Sequence, residues 1–349
     1  MKVLMTGGTG FLGRYILADL ISHCEKIYLL IRKQSVEKAK VFFSQYENVV
    51  LITGDLDNMD VIEGSEEYKT LKEEIDTIVH VAAYYDIEGK ISDCYINNVI
   101  GTQNLLYFAN SCPELKDFHY ISTYAVSGDY KGTFYEDELD YSQSFPNNYS
   151  ETKYFAEFQV KNWEFKPSLK RRIYRLGILV GDSVEGTMPK VDGPYYFTEF
   201  LIKHLDKLDI INNLPIFPIP FSKNTLFPII PVDHAKDYII EGIVNNPSTL
   251  SSRTYHVIGM SSPTIQEFLE DCFDALGITA KPYPLPNSQF GPYIFEALGI
   301  PKELNHYGYS ECIFDQRCFK EDLSSKRNSH YREFKESLFS PIKEKGRGS

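Results

Sequence analysis

The sequence lacks an excess of basic residues, and it also lacks any long apolar run. Its 349 residues include 36 Lys and Arg against 48 Asp and Glu, which gives a net charge of −12. Nucleic-acid binders normally carry basic surfaces that neutralise phosphates, so this charge argues against a nucleic-acid partner and against whole-molecule attraction to anionic lipid. No stretch approaches the roughly 18 consecutive apolar residues of a transmembrane helix, and we expect no membrane span.

Cysteines are few, and their spacing argues against a metal site. None forms a CxxC pair or joins a Cys/His cluster with zinc spacing, so we expect no metal. They are typical of reduced thiols, although an even number is compatible with a disulfide set. The first strand pattern begins at Lys2 and leaves no room for a signal peptide, so the cytoplasm is the expected compartment. The six cysteines are Cys24, Cys94, Cys112, Cys272, Cys312 and Cys318.

The first half of the chain alternates short apolar runs with helical patterns. This alternation predicts an α/β fold of the doubly wound Rossmann type, with a parallel sheet and helices on both faces. Strands are predicted at Lys2–Thr6, Lys26–Ile31, Asn48–Thr53, Thr77–Ala82, Phe118–Thr123, Arg172–Val180 and Thr254–Ile258. Helices are predicted at Phe11–Ser22, Asn98–Ser111, Ser150–Glu164, Asp233–Val244 and Thr264–Leu276.

After Gly181 the pattern changes to a segment rich in proline and aromatic residues. We therefore expect a nucleotide-binding domain at 1–185, to which 231–258 returns. Residues 186–230 and 259–325 are expected to form a smaller, interleaved substrate-binding domain. Residues 326–349 form a charged tail by composition, frayed or helical.

A glycine-rich loop follows the first predicted strand and opens the first predicted helix. Glycines allow a tight turn and close approach to a pyrophosphate, whose charge the helix N-terminus stabilises. A packing turn without a ligand is the alternative, but the strand–loop–helix context favours dinucleotide binding. The loop residues are Gly7, Gly8, Thr9, Gly10, Phe11, Leu12 and Gly13.

The residues about 20 positions further on predict which dinucleotide is bound. An acid after the second strand would bind the ribose of NAD, whereas an arginine accommodates the 2′-phosphate of NADP. This chain has Arg32 and Lys33 there and no acid before Glu37. Arg14, just after the last loop glycine, is placed to reach the same phosphate. The sequence therefore predicts NADPH, although Arg32 could also be a solvated strand end.

Tyr149 and Lys153 are the predicted catalytic pair. Four residues apart near a helix start, they share one helix face, and a nearby ammonium favours the phenolate form of tyrosine. Chance alone supplies about two such pairs in this chain, and Tyr331–Lys335 is a second one. We set that pair aside because it lies in the charged tail. Tyr149 instead follows a strand that ends in Ser122 and Thr123, whose hydroxyls are placed to hold a carbonyl oxygen.

Together these motifs resemble the extended short-chain dehydrogenase/reductase superfamily, from about residue 1 to 325. The resemblance implies that Thr123 is the active-site hydroxyl, with Ser122 beside it, and that Lys153 also holds the nicotinamide ribose. It implies further cofactor contacts from Asp55 and Leu56 around the adenine, from Ala82 and Ala83 along the cleft, and from Asn98, Leu176 and Gly177. The motifs that carry it are the glycine loop, Gly54–Leu56, His80–Ala83, Asn98–Thr102, Ile121–Thr123, Tyr149 with Lys153, and Pro231–Asp233.

Three stretches are similar to the thioester-reductase and fatty-acyl-CoA-reductase branch: Ile27–Arg32, Arg175–Ser183 and Asp192–Phe197. Leu176 departs from this pattern, because many relatives carry proline there. This branch implies reduction of an acyl thioester to an aldehyde, on a coenzyme A thioester or an acyl carrier protein.

The predicted substrate region, 186–230, is mostly apolar, which fits an acyl chain or a ring system better than a nucleotide sugar. Its apolar residues could also simply pack the smaller domain. The basic run Lys166, Lys170, Arg171 and Arg172 could meet the phosphates of coenzyme A or an acidic carrier, but a solvated link is the favoured interpretation.

Other functions stay open at this point. A nucleotide-sugar epimerase or dehydratase shares the motifs, but Tyr124-Ala125 stands where dehydratases carry an Asp-Glu pair. A ketone or aldehyde reductase of a hydrophobic ring substrate suits the apolar pocket equally well. A non-enzymatic NADP-sensing protein is disfavoured by the Tyr/Lys pair. The expected oligomeric state is a monomer or homodimer.

Overall fold

A seven-stranded parallel sheet forms the centre of the structure, a computed structural model that describes residues 1–57, 66–188, 193–204, 212–323 and 329–347. The strand order is β11-β7-β5-β4-β1-β2-β3. In chain order the strands are β1 Lys2–Thr6, β2 Lys26–Ile31, β3 Val49–Thr53, β4 Thr77–His80, β5 Asp117–Thr123, β6 Gly132–Phe134, β7 Lys170–Leu176, β8 Ile178–Val180, β9 Ile216–Pro220, β10 Ile229–Pro231, β11 Ser252–Val257, β12 Lys281–Leu285 and β13 Cys312–Phe314.

Helices cover both faces of this sheet, as a doubly wound fold requires. Ile16, Leu17 and Ile239 pack against one face, and Leu105 and Val160 pack against the other. The predicted α/β Rossmann class is therefore confirmed. The helices are α1 Phe11–Leu20, α2 Val36–Phe43, α3 Glu66–Glu74, α4 Ile91–Cys94, α5 Gly101–Ser111, α6 Asn148–Asn162, α7 Tyr195–Lys203, α8 Val232–Val244, α9 Ile265–Leu276, α10 Gly291–Ala297, α11 Arg317–Asp322 and α12 Tyr331–Arg347.

The strand order reverses at β1, which has β2 on one side and β4 on the other. In open α/β sheets a ligand binds at such a switch point, beyond the carboxyl ends of the strands. Thr6, the last residue of β1, is in register with Leu30 of β2 and His80 of β4. The topology therefore places the cofactor motifs of these three strands at one edge.

Several predicted elements differ from the structure by one or two residues at their ends, whereas two differ in kind. The predicted strand Arg172–Val180 breaks at Gly177, and β8 pairs instead with β10 in a separate small sheet. At this break the chain passes so close to Pro228 that a Cβ on Gly177 would lie 2.2 Å from the Pro228 carbonyl oxygen, so a side chain would not fit there. The predicted helix Asn98–Ser111 is α-helical only from Gly101, since Tyr95–Ile100 forms a π-helical turn.

A second apolar core lies among α7, β9, α9 and α12. It contains Phe197, Phe268 and Phe273, and α9 begins with a capping box in which Thr264 accepts from the Glu267 N–H. The segment predicted to be a charged tail contributes to this core: α12 is helical, and Tyr331, Phe334, Leu338 and Phe339 are buried in it. Residues 324–328 and 348–349 lie outside the described residues.

None of the helices in the described ranges combines the length and the apolar character needed to cross a bilayer.

Candidate active site

A cleft of about 640 Å³ lies at the carboxyl edge of β1, β4 and β5. It brings together most of the residues predicted to bind the cofactor and all four predicted catalytic residues. The predicted residues that line it are Gly7, Thr9, Gly10, Phe11, Leu12, Gly13, Arg32, Asp55, Leu56, Ala82, Ala83, Ser122, Thr123, Tyr149, Lys153, Leu176 and Gly177.

The glycine loop is closed so tightly that side chains would not fit at two positions. Gly7 has φ +74°, and a Cβ there would lie 2.5 Å from the Ala82 nitrogen. A Cβ on Gly13 would lie 2.1 Å from the Gly7 carbonyl oxygen. Gly10 is the N-cap of α1 and has no side chain with which to cap it. The backbone can therefore approach a pyrophosphate at the positive end of a helix, which fits a dinucleotide.

Four residues predicted to bind the cofactor are not among the cleft-lining residues. Gly8 packs against the Leu29 side chain, and the Arg14 guanidinium lies over the Phe42 ring, 5.5 Å from its centroid. Asn98 accepts from the Tyr84 N–H at 2.8 Å and donates to Thr152 at 3.1 Å. Lys33 is exposed and starts the short 3-10 turn after Arg32. Of the three basic residues predicted to select the cofactor, Arg32 lines the cleft, whereas Arg14 and Lys33 do not.

Lys153 lines the cleft and is almost fully buried. Its ammonium donates to the Tyr120 hydroxyl and to the Ile121 carbonyl, both at 2.8 Å. Burial lowers the pKa of Lys153 to about 7, and the Glu157 charge offsets part of this shift. Lys153 can therefore exchange a proton near neutral pH, a property typical of functional sites.

Tyr149 stands beside Lys153 in the first turns of α6. The N-cap of this helix is Asn147, whose side chain accepts from the Ser150 N–H at 2.8 Å. The half-buried Tyr149 ring packs edge-on against Tyr85, with 4.7 Å between the centroids. Helix start, cap and ring packing together hold the phenol at the cleft wall.

Thr123 and Ser122 end β5 at this wall, but their hydroxyls have different partners. The Thr123 oxygen accepts from the Ala125 N–H at 3.2 Å, which leaves the hydroxyl hydrogen for another acceptor. The Ser122 hydroxyl donates to Glu157, which pairs with Arg175 at 2.8 Å in full burial. The Ser122 hydroxyl thus has a buried carboxylate as its partner, one that the sequence did not predict.

A buried hydrogen-bonded chain joins the glycine-loop strand to the region of Lys153. The His80 Nδ1 lies 2.7 Å from the Thr6 hydroxyl, and its Nε2 lies 3.1 Å from the Thr102 hydroxyl. Burial, with the Lys153 charge, lowers the pKa of His80 to about 3, so this histidine is neutral at physiological pH. Its ring also packs on Tyr120 at 5.5 Å. His80 therefore serves as a connector between the strands.

A second, smaller cavity of about 120 Å³ adjoins the cleft. Its wall is almost entirely apolar and includes Phe197, Phe221, Phe268 and Phe295. The predicted apolar substrate stretch contributes Phe197 and Ile219–Phe221, whereas Ile210 and Ile211 lie outside the described residues. The two cavities share Tyr124, Ile178, Gly193, Leu304 and Tyr307.

Sequence reasoning missed several cleft residues, including Ser35 beside Arg32 and Tyr307 at the junction of the cavities. Ser35 had a weak signal, its closeness to Arg32 in the chain. Tyr307 had none, because it lies far beyond every motif and reaches the cleft only through the tertiary fold.

In the predicted basic run, the side chains of Lys166, Arg171 and Arg172 donate hydrogen bonds to backbone carbonyls of the protein itself. Lys166 donates to the Cys112 carbonyl at 2.8 Å, and Arg171 donates to the Val160 carbonyl at 2.7 Å. Arg172 is fully buried and donates to the Ser248 carbonyl. These cations therefore stabilise the junction of α6 and β7.

The six cysteines are all free thiols. Burial raises the pKa of Cys112 and of Cys312 to about 12, so both stay protonated and poorly nucleophilic. Among the described residues there is no group of three or more His, Cys, Asp or Glu side chains arranged to hold a metal ion.

Comparison with known proteins gives a family match. The model of the family described as Male sterility protein, NAD_binding_4, matches residues 5–239. A linear gramicidin synthase of Brevibacillus parabrevis is 24% identical over 250 residues, covering 66% of this chain and 5% of that protein. Fatty acyl-CoA reductase 1 of Xenopus laevis is 28% identical over 142 residues, covering 35% of this chain and 28% of that protein. The chain thus spans less than a third of the length of these relatives.

A solved structure shows the same fold. The terminal R domain from the myxalamid PKS-NRPS biosynthetic pathway has a TM-score of 0.75 and 22% identity, covering 99% of this chain and 91% of that chain. The family match and these similarities confirm the predicted resemblance to extended short-chain dehydrogenases/reductases of the thioester-reductase and fatty-acyl-CoA-reductase branch. Within that class the chain belongs to the male sterility protein family of NAD-binding domains.

Proposed function

We propose that this chain reduces an acyl thioester to an aldehyde with NADPH. The observation that carries the proposal is the junction of the two cavities: the cleft wall with Thr123 and Tyr149 opens beside an apolar cavity. An apolar wall binds an acyl chain by burying its methylenes, at about 0.8 kcal/mol each. A nucleotide sugar would need many polar partners, whereas this wall has few among its described residues.

NADPH is the proposed cofactor. The fit of the glycine loop to a pyrophosphate supports a dinucleotide, and Arg32 with Ser35 at the end of β2 supports a 2′-phosphate there. Arginine binds phosphate through charge-assisted hydrogen bonds, which serine can supplement. When bound, the cofactor supplies the hydride for the acyl carbonyl carbon.

The residues of the chain supply the proton and the oxyanion contacts. Thr123 and Tyr149 hydrogen-bond the carbonyl oxygen as negative charge develops there, and Tyr149 donates its proton to that oxygen. Lys153 stabilises the phenolate that remains and, with a pKa near 7, can return a proton to it. The hemithioacetal then collapses to an aldehyde and a free thiol. One hydride and one proton are consumed for each thiol released.

The thiol partner of the acyl group is either coenzyme A or the phosphopantetheine arm of an acyl carrier protein. The name of one relative, fatty acyl-CoA reductase, supports coenzyme A, and a structural neighbour described as a thiolation-reductase di-domain supports a carrier-bound thiol. The inward-turned cations of the run at Lys166–Arg172 argue against that run as the docking site.

The test follows NADPH oxidation and thiol release together on a series of acyl-CoAs and acyl pantetheines. We expect one thiol for each NADPH oxidised, and a KM that falls as the acyl chain lengthens, by about fourfold for each buried methylene. NADPH loss without thiol would indicate a carbonyl reductase of ketones or aldehydes. Activity confined to nucleotide sugars would contradict the proposal.

A further inference from the structure

Tyr307 stands at the junction between the cofactor cleft and the apolar cavity. It belongs to a short 3-10 turn, Tyr307–Tyr309, and its ring lines both spaces. The ring also packs against Tyr124, with 6.1 Å between the centroids. Since Tyr124 directly follows Thr123, Tyr307 borders the path from the reacting carbonyl to the apolar cavity.

The hydroxyl of Tyr307 is hydrogen-bonded to the N-cap residue of α6, the helix that carries Tyr149 and Lys153. The side-chain amide of Asn147 donates to the Tyr307 oxygen at 3.0 Å. The same amide caps α6, because its oxygen accepts from the Ser150 N–H at 2.8 Å. An amide that gives its nitrogen to a phenol presents its oxygen to the helix, so Tyr307 fixes the orientation in which Asn147 works as a cap. Tyr149 lies two residues beyond that cap.

The turn that carries Tyr307 is anchored to the second apolar core. The Gly308 carbonyl accepts from the Ser222 N–H at 2.8 Å. Ser222 follows the cavity-lining Phe221. A backbone hydrogen bond therefore connects the turn that carries Tyr307 to the wall of the apolar cavity.

We propose that Tyr307 is a positioning and specificity-determining residue. Its ring forms the wall past which the acyl chain enters the apolar cavity, and its hydroxyl holds the cap of the helix that carries Tyr149. This inference rests on the proposed function for the identity of the chain as an acyl group. Its consequence is that acyl chains long enough to pass Tyr307 raise kcat, rather than only lowering KM.

The hydroxyl is tested by Tyr307→Phe, with Tyr309→Phe as the matched control. Tyr309 sits on the same turn and donates a hydrogen bond to the Leu285 carbonyl at 2.8 Å, but it lines neither of the two cavities. We expect Tyr307→Phe to lower kcat about threefold to tenfold at every chain length, the scale of one hydrogen bond, with NADPH affinity unchanged. Tyr309→Phe should keep the wild-type kcat. Equal kcat values in the two variants would overturn the positioning role.

The ring is tested by Tyr307→Ala, with Tyr307→Leu as a variant that keeps more apolar bulk should the first fail to fold. We expect the dependence of kcat on chain length to disappear and branched acyl groups to become substrates. A wild-type chain-length profile in either folded variant would overturn the specificity role.

A binding measurement tests the specificity role of Tyr307 even if the chain does not reduce thioesters. If the wild type releases no thiol, the same variants are compared by thermal shift with a series of free fatty acids, which needs no turnover. The increase in the Tm shift with fatty-acid chain length should differ between wild type and Tyr307→Ala. A shift that is identical in wild type and Tyr307→Ala would overturn the specificity role independently of the reaction.

Discussion

Replacing Lys153 by methionine tests the electrostatics of the site without a substrate. The ammonium is buried and donates to the Tyr120 hydroxyl and the Ile121 carbonyl. Methionine has a similar length but no charge and no donor. The variant should be inactive, and the stability of the NADPH-free protein should respond to pH differently from the wild type.

The sign and size of that response follow from the pKa of Lys153. Burial lowers it from its usual 10.5 to about 7 in the folded chain. Between these values the unfolded chain holds the proton and the folded chain does not, so wild-type stability rises with pH from about 7 upward. The slope is at most about 1.4 kcal/mol per pH unit. The unfolding free energy of Lys153→Met, measured relative to wild type, should therefore fall by about 2 kcal/mol between pH 7 and 9.

Urea unfolding of both proteins at pH 6, 7, 8 and 9 measures this difference. The two hydrogen bonds lost in the variant add a constant offset, which cancels from the slope. Lys236→Met is the control: burial lowers the pKa of Lys236, but hydrogen bonds to Asp19 and Asp237 outweigh it and the net pKa is raised. The stability that the charged Lys236 contributes is lost only above this pH range. The difference in unfolding free energy between Lys236→Met and wild type should therefore stay constant from pH 6 to 9. A flat difference for Lys153→Met as well would refute the reasoning.

Three further predictions concern cofactor and proton donor. Gly13→Ala should weaken NADPH binding more than a hundredfold in a fluorescence titration, because its Cβ would lie 2.1 Å from the Gly7 carbonyl oxygen; wild-type affinity would contradict the loop geometry. Arg32→Glu should weaken NADPH binding by about tenfold to a hundredfold and leave NADH binding little changed, and a wild type that prefers NADH would contradict it. Tyr149→Phe should bind NADPH yet lose about 10² to 10⁴ in turnover, whereas Tyr331→Phe in the second core should keep full turnover; similar losses in both would mean that Tyr149 is misassigned.

The fold was predictable because its signals are local. The glycine loop lies between a strand and a helix that are adjacent in sequence, and β1 and β2 match their predicted bounds. The break at Gly177 was not predictable, because its apolar neighbours continue a strand pattern. After the break the Ile178 N–H donates to the carbonyl of Pro228, which lies 51 residues from Gly177 in sequence, and such a distant partner leaves no local signal.

The site was predictable in residue type but not in side-chain direction. Arg14 and Ser122 are in the predicted elements, yet Arg14 lies over Phe42 and Ser122 donates to Glu157. Sequence spacing fixes the face of a helix or strand on which a residue lies, whereas the partner it selects depends on distant residues. Tyr307 is a further example, since no motif near it in sequence indicates that its hydroxyl contacts the N-cap of α6, the helix that carries Tyr149.

The most direct test of thioester reduction is the fate of the hydride. The chain is supplied with an acyl-CoA and with NADPH deuterated at C4 on each face in turn, and the aldehyde is trapped as a hydrazone for mass spectrometry. Thioester reduction predicts one deuterium at the former acyl carbon from one of the two labelled cofactors, with one free thiol for each aldehyde. An aldehyde that is unlabelled with both labelled cofactors, or deuterium transfer only to ketones and sugars with no thiol released, would contradict thioester reduction.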